Sequence, residues 1–145
     1  MQNQDFLNSL AALLAWREEN INGVNGMLGV LFVLRNRLKA GWSGGDIQAI
    51  MEGHNQFSSM SILGDGQTVH YPDVRNPDFQ KILQYVDSIF DSDNPMNDTL
   101  TNGALYYSDL NSSGFQKGGW FDRVIIGQPT LHPRAAQIGS TTYFK

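Results

Sequence analysis

The stretch from about Val24 to Lys39 constrains the fold more than any other part of the chain. Met27, Leu28, Val30, Leu31, Val33, Leu34 and Leu38 leave it almost without a polar face until Asn36 and Arg37 near its end. A helix that is apolar on most sides is stable in water only when other elements surround it. Asn22-Gly23 breaks the pattern before it and Gly41 stops it. The fold must therefore be built around a buried helix. The segment before it, Asn3 to about Asn20, carries Phe6, Leu7, Leu10, Ala11, Leu13 and Leu14 at helical spacing and reads as an amphipathic helix.

Later segments add short elements. Ser43 reads as the N-cap of a short helix over Gly45–Glu52, and Gly53 ends it. His54 to Arg75 is polar and glycine-bearing, a loop with short turns. Asn76-Pro77 opens a strong helix, with Asn at the N-cap and Pro at the first helical position. Its stripe is Phe79, Ile82, Leu83, Val86, Ile89 and Phe90. Gly103–Tyr107 reads as a strand, Arg123–Ile126 as a short strand, and Ala136–Phe144 as a strand broken at Gly139. Helices come first and short strands later, which specifies α+β, mainly helical, rather than alternating βαβ units. With 145 residues the chain suits one domain, residues 1–145. A domain of that length buries about 68–70% of its unfolded surface and folds without staples.

Composition excludes several functions. There is no cysteine, which removes disulfides and thiolate metal sites. Ten basic and fourteen acidic residues give a net charge of −4, and the positive charges form no run. Nucleic acid is not an expected partner, since binding it requires phosphate neutralisation. No run of eighteen apolar residues exists, so no membrane span is expected. The start, Met1 to Asp5, has no basic stretch, and the apolar run Leu10–Trp16 is soon interrupted by Arg17-Glu18-Glu19, so no signal peptide is expected. His54, His70 and His132 are dispersed, which argues against a metal site, and no cofactor is expected.

A candidate catalytic group emerges from the first helix. A carboxyl group acts as a proton donor when partial burial raises its pKa toward the working pH. Glu18 lies eleven positions after Leu7, hence roughly 20° from it on a helix advancing about 100° per residue, in the sector of Ala11 and Leu14. It also sits near the helix C-terminus, where the dipole opposes negative charge. Glu19 turns about another 100° and falls toward the polar back, so Glu19→Gln is expected to keep most activity. Glu52 faces no apolar stripe.

The same residues carry a resemblance. SleB-type cell-wall hydrolases have a helix ending in a Glu-Ala-Arg-Gly-Glu motif, with Gly eight positions after the first Glu and Asn-Arg at eighteen and nineteen. Here Glu18 is followed at those spacings by Gly26 and Asn36-Arg37, a registration that selects Glu18 over Glu19. Gln56-Phe57-Ser58, Gly103-Ala104-Leu105-Tyr106-Tyr107 and Trp120-Phe121 follow in the family's order. The chain closes with Ile138-Gly139-Ser140-Thr141-Thr142-Tyr143-Phe144, where the family has Ile-Gly-Asn-His-x-Phe-Tyr. The likeness runs over about residues 10–145. Two departures stand out: Asn22 replaces the motif's second Glu, and Ser140-Thr141 replaces the closing Asn-His.

The resemblance implies a lysozyme-like, mainly helical single domain with a small β element. It implies lytic transglycosylase activity between N-acetylmuramic acid and N-acetylglucosamine of peptidoglycan, with Glu18 as the single acid/base and 1,6-anhydromuramic ends as product. A single carboxyl group suffices when the substrate's own C6 hydroxyl is the nucleophile, whereas glycosidases using water or a covalent intermediate need two. Asp65, Asp73 and Asp109 are the candidate second carboxylates for a muramidase using water. A glycan-binding or phage structural protein without activity is the non-enzymatic alternative. Gln56 and Ser58 are candidates for hydrogen bonds to sugar hydroxyls or acetamido groups. Tyr106 and Tyr107 point to opposite faces of a strand, one for the core and one for the glycan. Trp120 is a candidate for the cleft, Phe57 for the core. Asn36 and Arg37 are expected to hold helix ends or the loop behind the site, and Gly26 to allow close packing beneath it. The expected protein is a monomer, made without a signal peptide, acting on the cell wall and released by a phage holin or carried in a virion.

Overall fold

The computed structural model describes residues 4–52 and 72–145. Gln56, Ser58, Phe57, His54, His70 and Asp65 lie outside the described residues. The chain runs through α1 (Gln4–Glu19), α2 (Gly23–Lys39), α3 (Ile47–Glu52), α4 (Pro77–Ile89), β1 (Tyr106–Ser108), β2 (Arg134–Ile138) and β3 (Thr141–Phe144). Tight helical turns at Asn20–Asn22 and Trp42–Gly45 and a wider one at Phe121–Ile126 connect them. The architecture is mainly helical α+β.

The apolar helix is central, as its composition demands. Every residue of α2 from Gly26 to Arg35 is buried. Leu31 and Leu34 pack with Leu14 of α1, Ile50 of α3, and Ile82 and Ile89 of α4. Val33 turns the other way and packs with Ala104 and Tyr143 of the sheet region. Full burial of each such side chain stabilises by about 1.5–3 kcal/mol. Asn76 caps α4, its Oδ1 accepting the N–H groups of Asp78 (2.9 Å) and Phe79 (3.1 Å), with Pro77 at the first position. The cap satisfies donors that otherwise have no intrahelical partner.

Three short strands form one antiparallel sheet in the order β1-β3-β2. Tyr106 pairs with Phe144, Tyr107 with Tyr143 and Ser108 with Thr142. The central strand β3 is buried throughout.

Three local expectations are corrected. The segment Ala136–Phe144 is a hairpin rather than one broken strand: Gly139 adopts φ +57° in its turn, where a left-handed backbone reverses the chain. Arg123–Ile126 is helical, inside a wide turn with Gly127 N–H bonded to the Asp122 carbonyl at 2.9 Å. Its Val-Ile-Ile run reads as a strand locally, but Ile125 serves the core from a helical backbone. Ser43 does not cap α3; Asp46 does, accepting the N–H of Ala49 at 3.2 Å.

The end of α2 organises the approach to β1. Asn36 Nδ2 donates to the Ala104 carbonyl (3.0 Å) and to Asp98 (3.1 Å), and Arg37 Nε donates to the Leu105 carbonyl (2.8 Å). Asp98 in turn accepts the N–H groups of Leu100 (3.1 Å), Thr101 (2.8 Å) and Gly103 (3.1 Å), and the Thr101 hydroxyl.

The sheet meets α2 most tightly at Gly29. A Cβ there would collide with the Tyr143 phenol, approaching its Cζ to 2.9 Å. The Tyr143 hydroxyl is buried and has no hydrogen-bond partner among the described residues. We expect Gly29→Ala to lower stability by about 1–3 kcal/mol through overpacking. Tyr143→Phe is expected to be neutral, or stabilising by up to about 1 kcal/mol, because it removes an unsatisfied polar group. Combined with Gly29→Ala it should recover part of the loss. Thermal unfolding of the three variants checks this, and a Tyr143→Phe protein markedly less stable than wild type contradicts it.

Candidate active site

A cleft of about 570 Å3 opens where the C-terminal end of α1 faces β1. That volume lies within the range of small-molecule sites. Glu18 and Glu19 reach it from α1, Arg37 from the end of α2, Trp42 from the turn after it, and Tyr106, Tyr107 and Ser108 from β1. Asp109, Ser112, Trp120 and Phe121 complete the wall. Of the residues expected at the site from sequence, the structure thus brings together Glu18, Tyr106, Tyr107 and Trp120, while Gln56 and Ser58 fall outside the described residues.

Glu18 is half-buried, in the last turn of α1. The Arg37 guanidinium, 5% exposed, lies beneath the cleft over the Trp42 ring, 4.6 Å from its centroid. Burial lowers the Arg37 pKa, opposed by the Tyr107 and Tyr106 hydroxyls and by the Glu18 carboxylate. Burial likewise pushes the Tyr107 phenol well up, and the nearby Glu18 charge adds to it, against the pull of Arg37. Tyr107 is therefore a neutral hydroxyl at working pH, able to donate or accept a hydrogen bond.

The two tyrosines divide the work without separating completely. Tyr107 stacks on buried Tyr143, ring centroids 5.7 Å apart, and packs against both hydrophobic clusters while keeping an edge on the cleft. Tyr106 sits in an aromatic group with Trp42 (5.6 Å), His132 (5.2 Å) and Trp120 (6.4 Å). Trp120 is 54% exposed at the cleft rim. Such rings offer flat apolar surface to the C–H faces of sugars.

Glu19 corrects the sequence reading. It is 4% exposed and hydrogen-bonded, not on the polar back of the helix. The 100° step holds only inside a regular helix. Glu19 already has φ −139° and ψ 18°, so its side chain swings toward the sheet. Its Oε1 accepts the Thr141 hydroxyl at 2.7 Å and its Oε2 accepts Asn22 Nδ2 at 2.6 Å. Burial raises its pKa, those two hydrogen bonds oppose the rise, and the Asp109 charge adds to it. Asn22 Oδ1 accepts the Ser140 N–H at 3.3 Å. Both departures noted in the sequence, Asn22 and Ser140-Thr141, therefore meet in one hydrogen-bonded group around Glu19. Gly26 packs against the same group, since a Cβ there would approach the Glu19 carbonyl to 3.1 Å.

Sequence reasoning did not find Trp42. The available signal was a lone aromatic in a Gly-Trp-Ser-Gly-Gly turn directly after the buried helix. Arg37, expected from sequence to hold a helix end or the loop behind the site, both holds Leu105 and lines the cleft. Asp109 lines the cleft, whereas Asp73 is exposed and pairs with Arg75 at 3.2 Å. Among the described residues no group of three His, Asp or Glu side chains could hold a metal, and no helix is long and apolar enough to cross a membrane.

No protein-family model matches the chain, and no curated protein matches it. Two solved structures share its fold. The catalytic domain of the germination-specific lytic transglycosylase SleB from Bacillus anthracis superposes with a TM-score of 0.62 at 17% identity, covering 99% of this chain and 97% of that one. The catalytic domain of the Bacillus cereus SleB protein gives a TM-score of 0.62 at 19% identity, covering 100% and 93%. The chain has the SleB-type, lysozyme-like fold that its motifs implied.

Proposed function

We propose that this SleB-type fold cuts peptidoglycan glycan strands between N-acetylmuramic acid and N-acetylglucosamine, as a lytic transglycosylase. One observation carries the reading: Glu18, the carboxyl group selected by motif register, lines a cleft walled by Trp42, Tyr106 and Trp120. The Bacillus anthracis neighbour, the catalytic domain of a lytic transglycosylase, agrees with it. In this reading the aromatic wall holds the sugar rings. Glu18 protonates the bridging oxygen as it leaves the anomeric carbon. The resulting carboxylate then takes the proton of the muramoyl C6 hydroxyl, whose oxygen attacks the same carbon and closes the anhydro ring. Buried Arg37 supplies positive charge beside the carboxylate stage of this cycle. The protein works on the cell wall as a monomer, in the manner of a phage lysin.

Asp109 supports a second reading. It lines the same cleft, and a second carboxylate is what a water-using muramidase requires. Digestion of purified sacculi followed by mass spectrometry separates the two. Anhydromuramic ends support transglycosylation. Reducing muramic ends support hydrolysis and make Asp109 the cleft-lining candidate for the second carboxylate. Failure to release any glycan fragment would overturn both. Under the transglycosylase reading we expect Asp109→Asn to stay within about threefold of wild-type activity, since a non-essential partner contributes far less than the 10²–10⁴-fold of a general acid.

A further inference from the structure

We infer that Glu19 is a positioning residue, holding the end of α1 against the sheet so that Glu18 faces the β1 wall at a fixed distance. This rests on the glycan-cleaving reading above. The argument begins from where the two sides of the cleft are anchored. Glu18 belongs to a helix that packs mainly on α2 and α4, whereas Tyr106, Tyr107 and Ser108 belong to the sheet. Glu19, next in sequence, breaks from helical geometry and reaches Thr141 at the start of β3. The neighbouring residue Thr142 is paired with Ser108 in the cleft wall. The carboxylate of Glu19 thereby joins the helix end to the strand that carries the opposite wall.

The polarity of this join is fixed. The Ser140 N–H is an obligatory donor, so Asn22 must present Oδ1 to it at 3.3 Å. Asn22 Nδ2 then points at Glu19 Oε2 at 2.6 Å, which requires an acceptor there. The Thr141 hydroxyl bonds to the other oxygen at 2.7 Å. Asn22 has little room to leave, because Gly139 and Gly26 both close on its side chain so tightly that a Cβ at either would collide with it. Glutamine at position 19 offers one acceptor oxygen where the carboxylate offers two: with that oxygen toward Asn22 Nδ2, its NH2 group faces Thr141, whose hydroxyl must then accept instead of donate, and the negative charge is lost. Turning the glutamine amide over sets its NH2 against Asn22 Nδ2, and turning Asn22 over as well only moves that conflict to Ser140. Aspartate at position 22 reverses the bond: the amide NH2 of the introduced glutamine donates to it, its second oxygen still accepts the Ser140 N–H, and one negative charge remains in the group.

The test is a comparison of kcat, KM and thermal unfolding for wild type, Glu19→Gln and the double variant Glu19→Gln/Asn22→Asp on solubilised, uncrosslinked glycan strands. A misplaced catalytic group lowers kcat with little change in KM, so Glu19→Gln is expected to lose about tenfold or more in kcat with KM within about twofold. The double variant is expected to return to within about threefold of wild type, the signature of a coupled pair. Should Glu19→Gln not fold, Thr141→Val removes one donor at nearly constant shape and is expected to lose about threefold in kcat. A folded Glu19→Gln with wild-type kcat, a double variant no better than Glu19→Gln, or a Thr141→Val with unchanged kcat overturns the inference while leaving the proposed function intact. A wild type that releases no glycan overturns the proposed function and this inference with it.

Discussion

Glu18→Gln is expected to lose at least about a thousandfold in wall lysis, within the range by which a positioned general acid accelerates cleavage. Glutamine keeps the length and shape of the side chain but can neither give the first proton nor take the second. The variant should fold as wild type, because Glu18 is half-buried at the cleft and outside the hydrophobic clusters. It should still sediment with sacculi, since the aromatic wall of Trp42, Tyr106 and Trp120 is untouched. Turbidity loss measured beside a sacculus pull-down and a melting curve separates lost chemistry from lost binding. Lysis by folded Glu18→Gln at a wild-type rate would sink the mechanism.

The largest expected effect on stability is at Asp98. Its carboxylate receives donors from Leu100, Thr101, Gly103 and Asn36 and fixes the loop that leads into β1. Asn keeps one acceptor oxygen and turns an NH2 group toward the remaining donors. We expect Asp98→Asn to cost about 3 kcal/mol near neutral pH, from lost charge-assisted bonds and donors left unsatisfied. Burial raises the Asp98 pKa, but the bonds from Thr101, Asn36 and Gly103 outweigh it and hold the carboxyl below its usual range. The sign follows from linkage: a depressed carboxyl pKa contributes stability above its unfolded value and loses it as pH falls through the folded one. The gap between wild type and Asp98→Asn should therefore be widest near neutrality and close below about pH 4. Urea unfolding at several pH values checks it; a gap that does not change with pH contradicts the assignment.

The helices were legible because their signals are local. The all-round apolar run of α2, the Asn76-Pro77 start of α4 and the stripe that follows need only helical periodicity and capping chemistry. The place of Glu18 on the cleft side of α1 was legible for the same reason, since it lies inside the last regular turn of the helix. Glu19, one residue on, was misjudged because the backbone departs from the helix there, and no wheel describes a side chain past that point. Phe121–Ile126 shows the opposite failure. Its β-branched run has strand propensity, but the turn it occupies is set by tertiary packing of Ile125. Trp42 could be named as a lone aromatic but not placed, because only the fold carries the turn after α2 to Tyr106.

The strand order β1-β3-β2 places Thr141–Phe144 between two strands that precede it in sequence. As the polypeptide leaves the ribosome, the helical layer already possesses its packing partners. The ribbon bearing Tyr106 and Tyr107 does not, and it waits for those late residues to bond with its edge. Long-range pairing of this kind forms slowly compared with local contacts. Assembly of the cleft is thus ordered in time: the groove between Glu18 and the two tyrosines cannot exist on a nascent chain until nearly all of this sequence has been made.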